Sequence, residues 1–198
     1  MSLIWCPEDG NRPPPKVMVH KAPPRPIGTV GPRYGVVDTT FSTVNMGDIA
    51  VRALQAQAIA DNRIVRRTVP GFKDLAVAAK QMIEGGCNIV VACGMVGPEP
   101  IDKQCGHESS LAIAQAQLLT STHILEVFVH MDEARDDAEL LRIVQNRVAE
   151  HAVNAFWILE KPEELVARAG TGQRQGFADI GAADPTRREA QHLRPASR

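Results

Sequence analysis

The sequence predicts an α/β protein, a three-layer α/β/α sandwich around a parallel sheet, and three observations carry that reading. Short apolar runs alternate with longer segments of helical period, the βαβα order that builds parallel sheets. The run from Asn88 to Cys93 is near-continuous Ile and Val, as a strand covered on both faces requires. Three polar groups, Asp38-Thr39-Thr40-Phe41, Thr68-Val69-Pro70-Gly71-Phe72-Lys73-Asp74 and Cys105-Gly106-His107-Glu108, follow apolar runs and open helix-like segments. Ligands of such sheets bind beyond the carboxyl ends of the strands, so these groups are expected to be three site loops on one edge.

Taken in order, Tyr34-Gly35-Val36-Val37 reads as the first strand and residues 46–59 as a helix, with Ile49, Ala53, Leu54 and Ala56 at helical spacing. A strand over 64–69, a helix over 74–84 closed by Gly85-Gly86, and a strand over 88–93 repeat the pattern. Residues 109–119 read as a helix and 124–129 as a fourth strand. A long helix from about Glu133 to Ala155 carries Leu140, Leu141, Val144, Val148 and Ala152 on one stripe. Lys161-Pro162 opens a last short helix that Gly170 stops.

Both ends depart from this order. Residues 1–33 contain Pro13-Pro14-Pro15 and Pro23-Pro24-Arg25-Pro26, which remove backbone donors too often for a packed element, so an extended or disordered arm is expected. Residues 181–198 are polar, basic and aperiodic, and are expected to be a disordered tail. The fold is left to residues 34–180. With 198 residues and 44% hydrophobic content there is material for one well-buried core. A net charge of −1 from 22 basic and 23 acidic residues argues against electrostatic nucleic-acid binding. Nothing resembles a signal peptide or an 18-residue apolar span, so no membrane association and a cytoplasmic location are expected.

The cysteines, Cys6, Cys87, Cys93 and Cys105, form no CxxC pair. Cys87 and Cys93 read as buried thiols; Cys105-x-His107 offers two metal ligands without a second pair, so no metal ligand set is assigned. In the first polar group, Phe41 suits stacking on a planar heterocycle, or alternatively plugs the sheet edge while Asp38 caps a turn. Asn45 and Asp48 read as helix caps. In the second, Pro70 forces Thr68-Val69 extended and Gly71 lets backbone approach a ligand closely. Lys73 is disfavoured by the helix dipole that favours Asp74, which points to charge pairing or ligand contact; a solvated lysine beside a cap is the plainer reading. His107, Glu108 and His130 are proton-transfer candidates set against surface or turn roles. Gly94-Met95-Val96-Gly97 is too short for a nucleotide fingerprint. His123, Glu126 and His151 are left structural, and Asp132, Glu133, Asp136 and Asp137 are expected to form the acidic first turn of the long helix.

Taken together, Asp38-Thr-Thr-Phe41, Thr68-Val-Pro-Gly71 with Lys73-Asp74-Leu75, Gly94-Met95, Cys105-x-His107-Glu108, Val127-Phe-Val-His130 with Asp132-Glu-Ala134, and Arg174-Gln-Gly-Phe177 resemble the archaeal-type riboflavin synthases, relatives of lumazine synthase. The resemblance runs from about Tyr34 to Ala182. It implies a catalytic domain over 34–180 with a flavodoxin-like four-stranded parallel sheet of order 2-1-3-4, in a homopentamer with sites between neighbouring subunits. It also implies dismutation of two molecules of 6,7-dimethyl-8-ribityllumazine to riboflavin and 5-amino-6-ribitylamino-2,4(1H,3H)-pyrimidinedione. No organic cofactor is implied, but a divalent cation, Mg²⁺, is. On this resemblance Asp38, Thr39, Thr40, Phe41, Thr68, Val69, Pro70, Gly71, Gly94 and Met95 hold substrate, and Lys73, Asp74, His107, Glu108 and His130 move protons or stabilise charge. Thr43 stands where the family commonly carries Arg, and Val96-Gly97-Pro98-Glu99-Pro100 is richer in Pro than expected. The rival readings are a lumazine synthase, which needs a phosphate pocket that Gly94-Met95 does not supply, and a non-catalytic flavin-binding flavodoxin-like protein.

Overall fold

The structure, a computed structural model, describes residues 31–183, so most of the proline-rich arm and of the expected tail lie outside the described residues. Four parallel strands, β1 (Tyr34–Thr39), β2 (Ile64–Val69), β3 (Ile89–Val96) and β4 (Ile124–His130), form one sheet in the order β2-β1-β3-β4. Five α-helices follow from the same alternation: α1 (Met46–Gln55), α2 (Phe72–Glu84), α3 (Pro100–Thr120), α4 (Asp137–Glu160) and α5 (Pro162–Arg168). The expected sandwich and strand order are those observed.

Two cores flank the sheet. Successive strand residues point to opposite faces, so Ile89, Val91, Cys93 and Met95 of β3 pack with α1 and α4, while Val90, Ala92 and Val96 pack with α2 and α3. All of β3 is buried, which is why its sequence is an unbroken apolar run. Edge strand β2 differs from the expectation of burial on both faces: Arg66, Arg67 and Thr68 are exposed, because only one neighbour covers its side. The thiols of Cys87 and Cys93 are buried as expected, and burial pushes both up from their ordinary pKa.

Several boundaries fall elsewhere than expected, and each shift has a local cause. β1 runs on through Asp38 and Thr39, which are 4% and 5% exposed and pair in register with Thr68 and Val69 of β2. Gly94 and Met95 belong to β3 rather than to a loop after it. α1 stops at Gln55, four residues early, although Ile59 beyond it is still buried. α2 begins at Phe72, with Gly71 as its cap. α3 begins at Pro100, nine residues before Ser109, because Pro at the first helical position costs no hydrogen bond. Gly106 then lies inside α3, where a Cβ would sit 3.2 Å from Val96 Cγ2; the helix and β3 approach closely there. Ala182, assigned by sequence to the tail, is 1% exposed.

Gly94 shows why a strand interior carries a glycine. The rings of Phe72 and Phe128 meet edge to face, 5.0 Å between centroids, directly over it. A Cβ on Gly94 would lie 2.4 Å from a Phe72 ring carbon and 3.2 Å from one of Phe128. Gly94→Ala is therefore expected to lower stability by about 1–3 kcal/mol through overpacking, read by urea unfolding. Unchanged stability would show that the Phe72–Phe128 pair shifts freely.

Candidate active site

The carboxyl edge of the sheet is organised from beneath by one buried carboxylate. Asp38 Oδ1 accepts from Thr68 Oγ1 at 2.7 Å; Oδ2 accepts from Arg66 Nη2 at 2.7 Å and from the Gly47 amide at 3.1 Å. Arg66 also reaches Asp48 Oδ1 at 2.5 Å and Asn45 Oδ1 at 2.7 Å, while Asn45 caps α1 through the Asp48 amide at 3.1 Å. One network thus joins the end of β1, the middle of β2 and the start of α1. The sequence placed Asp38 in a loop; it belongs instead to the end of β1, and both of its oxygens are engaged within the chain.

Above this network the loop after β1 is latched to the loop after β2. The Thr40 amide donates to Val69 O at 2.9 Å and its hydroxyl to Pro70 O at 3.2 Å. Thr39 and Ser42 share a hydroxyl contact of 3.1 Å, and Thr43 donates to the Met95 sulfur at 3.2 Å. Met95 is fully buried and, like Gly94, lies below the edge rather than on it. Phe41 is 52% exposed at the loop tip, so it does not plug the sheet. Gly71 has extended backbone (φ −155°), and a Cβ there would meet nothing within 4 Å. Neither conformation nor packing within the chain requires glycine at that position.

The start of α2 and the first turns of α3 carry a charged pair. Lys73 Nζ bonds Glu108 Oε2 at 2.5 Å, and Gln104 Nε2 supports Glu108 Oε1 at 3.0 Å. The hydrogen bond to Glu108 raises the Lys73 pKa; those from Lys73 and then Gln104 lower that of Glu108, so the pair stays ionised at neutral pH. Asp74 is exposed in the first turn of α2. The Cys105-to-Glu108 group is helical, not a loop, and His107 is exposed on it. Residues two apart on a helix do not face one another, so Cys105 and His107 do not form a ligand pair.

His130 ends β4, as placed by sequence, and is followed by a 3₁₀ turn, Met131–Glu133. That turn corrects the reading of the acidic cluster. Asp132 pairs with Lys103 of α3, and Glu133 with Arg147 of α4, while only Asp136 and Asp137 serve the start of α4. Sequence reasoning missed Lys103, Gln104, Arg66 and Arg147. The one available signal was a lysine and a glutamine one helical turn before the His107-Glu108 pair. Among the described residues no group of three or more His, Cys, Asp or Glu side chains converges to hold a metal. A separate open groove of about 390 Å³, lined by Ala114, Gln117, Leu118, Ser121, Thr122 and His123, lies at the opposite, amino end of β4.

The fold defines a lumazine synthase-like α/β sandwich. Residues 31–163 match the family described as 6,7-dimethyl-8-ribityllumazine synthase. The chain is 51% identical to the riboflavin synthase of Methanothermobacter thermautotrophicus over 150 residues, 75% of this chain and 97% of that protein. It is 43% identical to that of Archaeoglobus fulgidus over 75% of this chain and 97% of that protein. For that of Aeropyrum pernix the identity is 42%, over 77% of this chain and 98% of that protein. The chain belongs to the lumazine synthase-related family, in its archaeal-type riboflavin synthase branch.

Two outcomes follow from the site's electrostatics. Asp38→Ala strands the Arg66 guanidinium, the Gly47 amide and the Thr68 hydroxyl, and is expected to cost about 3–5 kcal/mol in urea unfolding, with Asp38→Asn costing less. Glu108, Asp132 and Glu133 all have lowered pKa values, held down by Lys73, Lys103 and Arg147 respectively. Their stabilisation is therefore complete above the ordinary carboxylate value of about 4 and is lost as pH falls through the folded values. Stability followed by denaturation is expected to begin falling as pH drops below about 6.5, where His151, whose pKa burial lowers, is protonated first in the unfolded chain, and to fall further below about pH 4 as the three carboxylates lose their pairing.

Proposed function

We propose that this chain is a riboflavin synthase, converting two 6,7-dimethyl-8-ribityllumazines into riboflavin and 5-amino-6-ribitylamino-2,4(1H,3H)-pyrimidinedione by transfer of a four-carbon unit. The observation that carries the reading is identity of 42–51% to proteins named riboflavin synthase over 97–98% of their lengths. Both products derive from the same substrate, so the reaction balances with no external oxidant, reductant or organic cofactor. The protein's task is to hold two flat rings in reacting geometry, where proximity supplies roughly 7–11 kcal/mol.

The open groups of the edge fit that task. Phe41 stacks on a lumazine ring, and the backbone at Pro70-Gly71 with the Thr40 hydroxyl holds ring edges or ribityl hydroxyls. Thr39, Thr68, Val69, Asp38, Gly94 and Met95 support these groups from below. Loss of a proton from the C7 methyl leaves an anion, which Lys73, kept cationic by Glu108, stabilises electrostatically. Ionised Lys73 and Glu108 are poor proton carriers at neutral pH, so the proton falls to His130 or His107, with Asp74 the remaining candidate. The mouth's carboxylates Glu108 and Asp132 are engaged by lysines, which does not favour an all-protein Mg²⁺ cage, and no step here passes through a metal. A Mg²⁺ requirement is tested by activity with and without EDTA.

A homopentamer with sites between subunits is supported by α3, which leaves Ile101, Leu111, Leu118 and Leu119 55–82% exposed. Sedimentation of the purified chain tests it. Among the described residues no helix is long and apolar enough to cross a membrane, and a cytoplasmic location is proposed. The family description itself favours a second reading, lumazine synthesis. Two parallel anaerobic incubations separate the readings: with the lumazine, equal yields of riboflavin and the pyrimidinedione are expected, whereas no turnover there together with lumazine formation from the pyrimidinedione and a four-carbon phosphate would contradict the proposal.

Two substitutions test the binding groups. Phe41→Ala is expected to raise KM about fivefold or more with stability unchanged, as loss of a stacked ring costs about 1 kcal/mol or more. Gly71→Ala is expected to leave stability within about 1 kcal/mol, because the site is open and extended, and yet to weaken substrate binding. Unaltered binding would remove the close backbone approach from the account.

A further inference from the structure

Beyond α5 the chain closes into a strap over residues 170–182, which contains the Arg174-Gln175-Gly176-Phe177 group. The strap is tied to itself by Ile180 N to Gly172 O at 3.0 Å and Arg174 N to Asp179 Oδ1 at 2.8 Å. It is tied to α4 by Gly176 N to Asn146 Oδ1 at 2.6 Å. These bonds bring the Phe177 ring to 5.4 Å from the Arg147 guanidinium and 4.8 Å from that of Arg174.

Arg147 connects this strap to the active edge. Its Nη1 donates to Phe128 O of β4 at 2.9 Å and to Glu133 Oε1 at 2.8 Å, and its Nη2 to Glu133 Oε2 at 2.5 Å. Glu133 Oε1 in turn accepts the His130 amide at 2.9 Å. The Arg147 side chain is 11% exposed and that of Glu133 23%, so this two-point, charge-assisted contact is largely shielded from water. One guanidinium therefore clamps the outer edge of β4, the turn carrying His130 and Asp132, and the aromatic ring of the strap. Without it, the end of an edge strand is held on one side alone.

We propose that Arg147 is a positioning residue for the reaction, acting through Glu133 on His130, and that Phe177 of the strap holds Arg147 in place. The proposal rests on the reading of His130 as part of the reaction site. Proton transfer demands that the imidazole stay within about 0.5 Å of its working place, and β4 alone, as an edge strand, does not ensure that. The strap thereby links the segment after α5 to the turn that carries His130 ahead of α4.

The test uses the full chain and the variants Arg147→Met, Arg147→Lys, Phe177→Leu, His130→Ala and the double variant Arg147→Met/His130→Ala. Arg147→Met is expected to lower kcat about tenfold or more with KM within about twofold, and Arg147→Lys to recover part of that loss. The double variant is expected to match His130→Ala alone, since both substitutions remove the same function. Amide hydrogen exchange, read without substrate, is expected to accelerate at residues 128–133 in Arg147→Met while β1 and β3 keep wild-type rates. Phe177→Leu is expected to show the same pattern at smaller amplitude. Multiplying kcat losses in the double variant, His130→Ala with wild-type kcat, or exchange that rises evenly over the whole sheet would each overturn the proposal. A wild-type chain that does not turn over the lumazine would instead overturn the functional reading, and the exchange pattern would still decide whether Arg147 fixes His130.

Discussion

The buried carboxylate of Asp38 is the constraint on which the active edge depends. A charge that is 4% exposed must be fully partnered, and here its partners come from two further elements: Arg66 and Thr68 of β2, and the Gly47 amide of α1. Satisfying them fixes where β1 stops, how β2 lies beside it and where α1 begins. The loop after β1 leaves from Thr39, next to Asp38, and ends at Asn45, which Arg66 holds, so Phe41 at its tip can be half exposed without being unsupported. Thr40, latched to Val69 and Pro70, carries the same order across to the second loop.

Much of this was legible in the sequence, and the parts that were not share a physical reason. Alternation and apolar period reported the strands, the helices and the α/β/α layering because burial on a regular element leaves a regular trace. Ends of elements were less visible. Asp38 and Thr39 are polar and read as loop, but their polarity is spent inside the fold. Gly94 read as a loop residue because a strand interior rarely omits a side chain; the Phe72–Phe128 pair explains the omission only once the two rings are seen together. The two prolines before Ile101 suggested a long loop, while one of them starts α3. The contacts Arg66–Asp38, Lys103–Asp132 and Arg147–Glu133 join residues 14 to 29 positions apart and leave no periodic mark.

The edge divides its residues into two groups. Asp38, Thr68, Gly94 and Met95 maintain the platform, and their identities are explained by contacts within the chain. Phe41 and Gly71 are not explained in that way: a large ring is left in solvent, and a glycine stands where any residue would fit. Side chains that the fold does not require are those available to a ligand. Lys73 with Glu108 and Lys103 with Asp132 tie α3 to α2 and to the end of β4, so these elements are cross-braced by charge pairs.

The most direct test of this account is a crystal structure of the full chain with bound riboflavin. The account predicts the isoalloxazine ring against Phe41, with its edge at the Pro70-Gly71 backbone and within reach of Lys73 and His130. A ring seated instead in the groove formed by Leu118, Ser121 and His123 at the opposite end of β4 would contradict it.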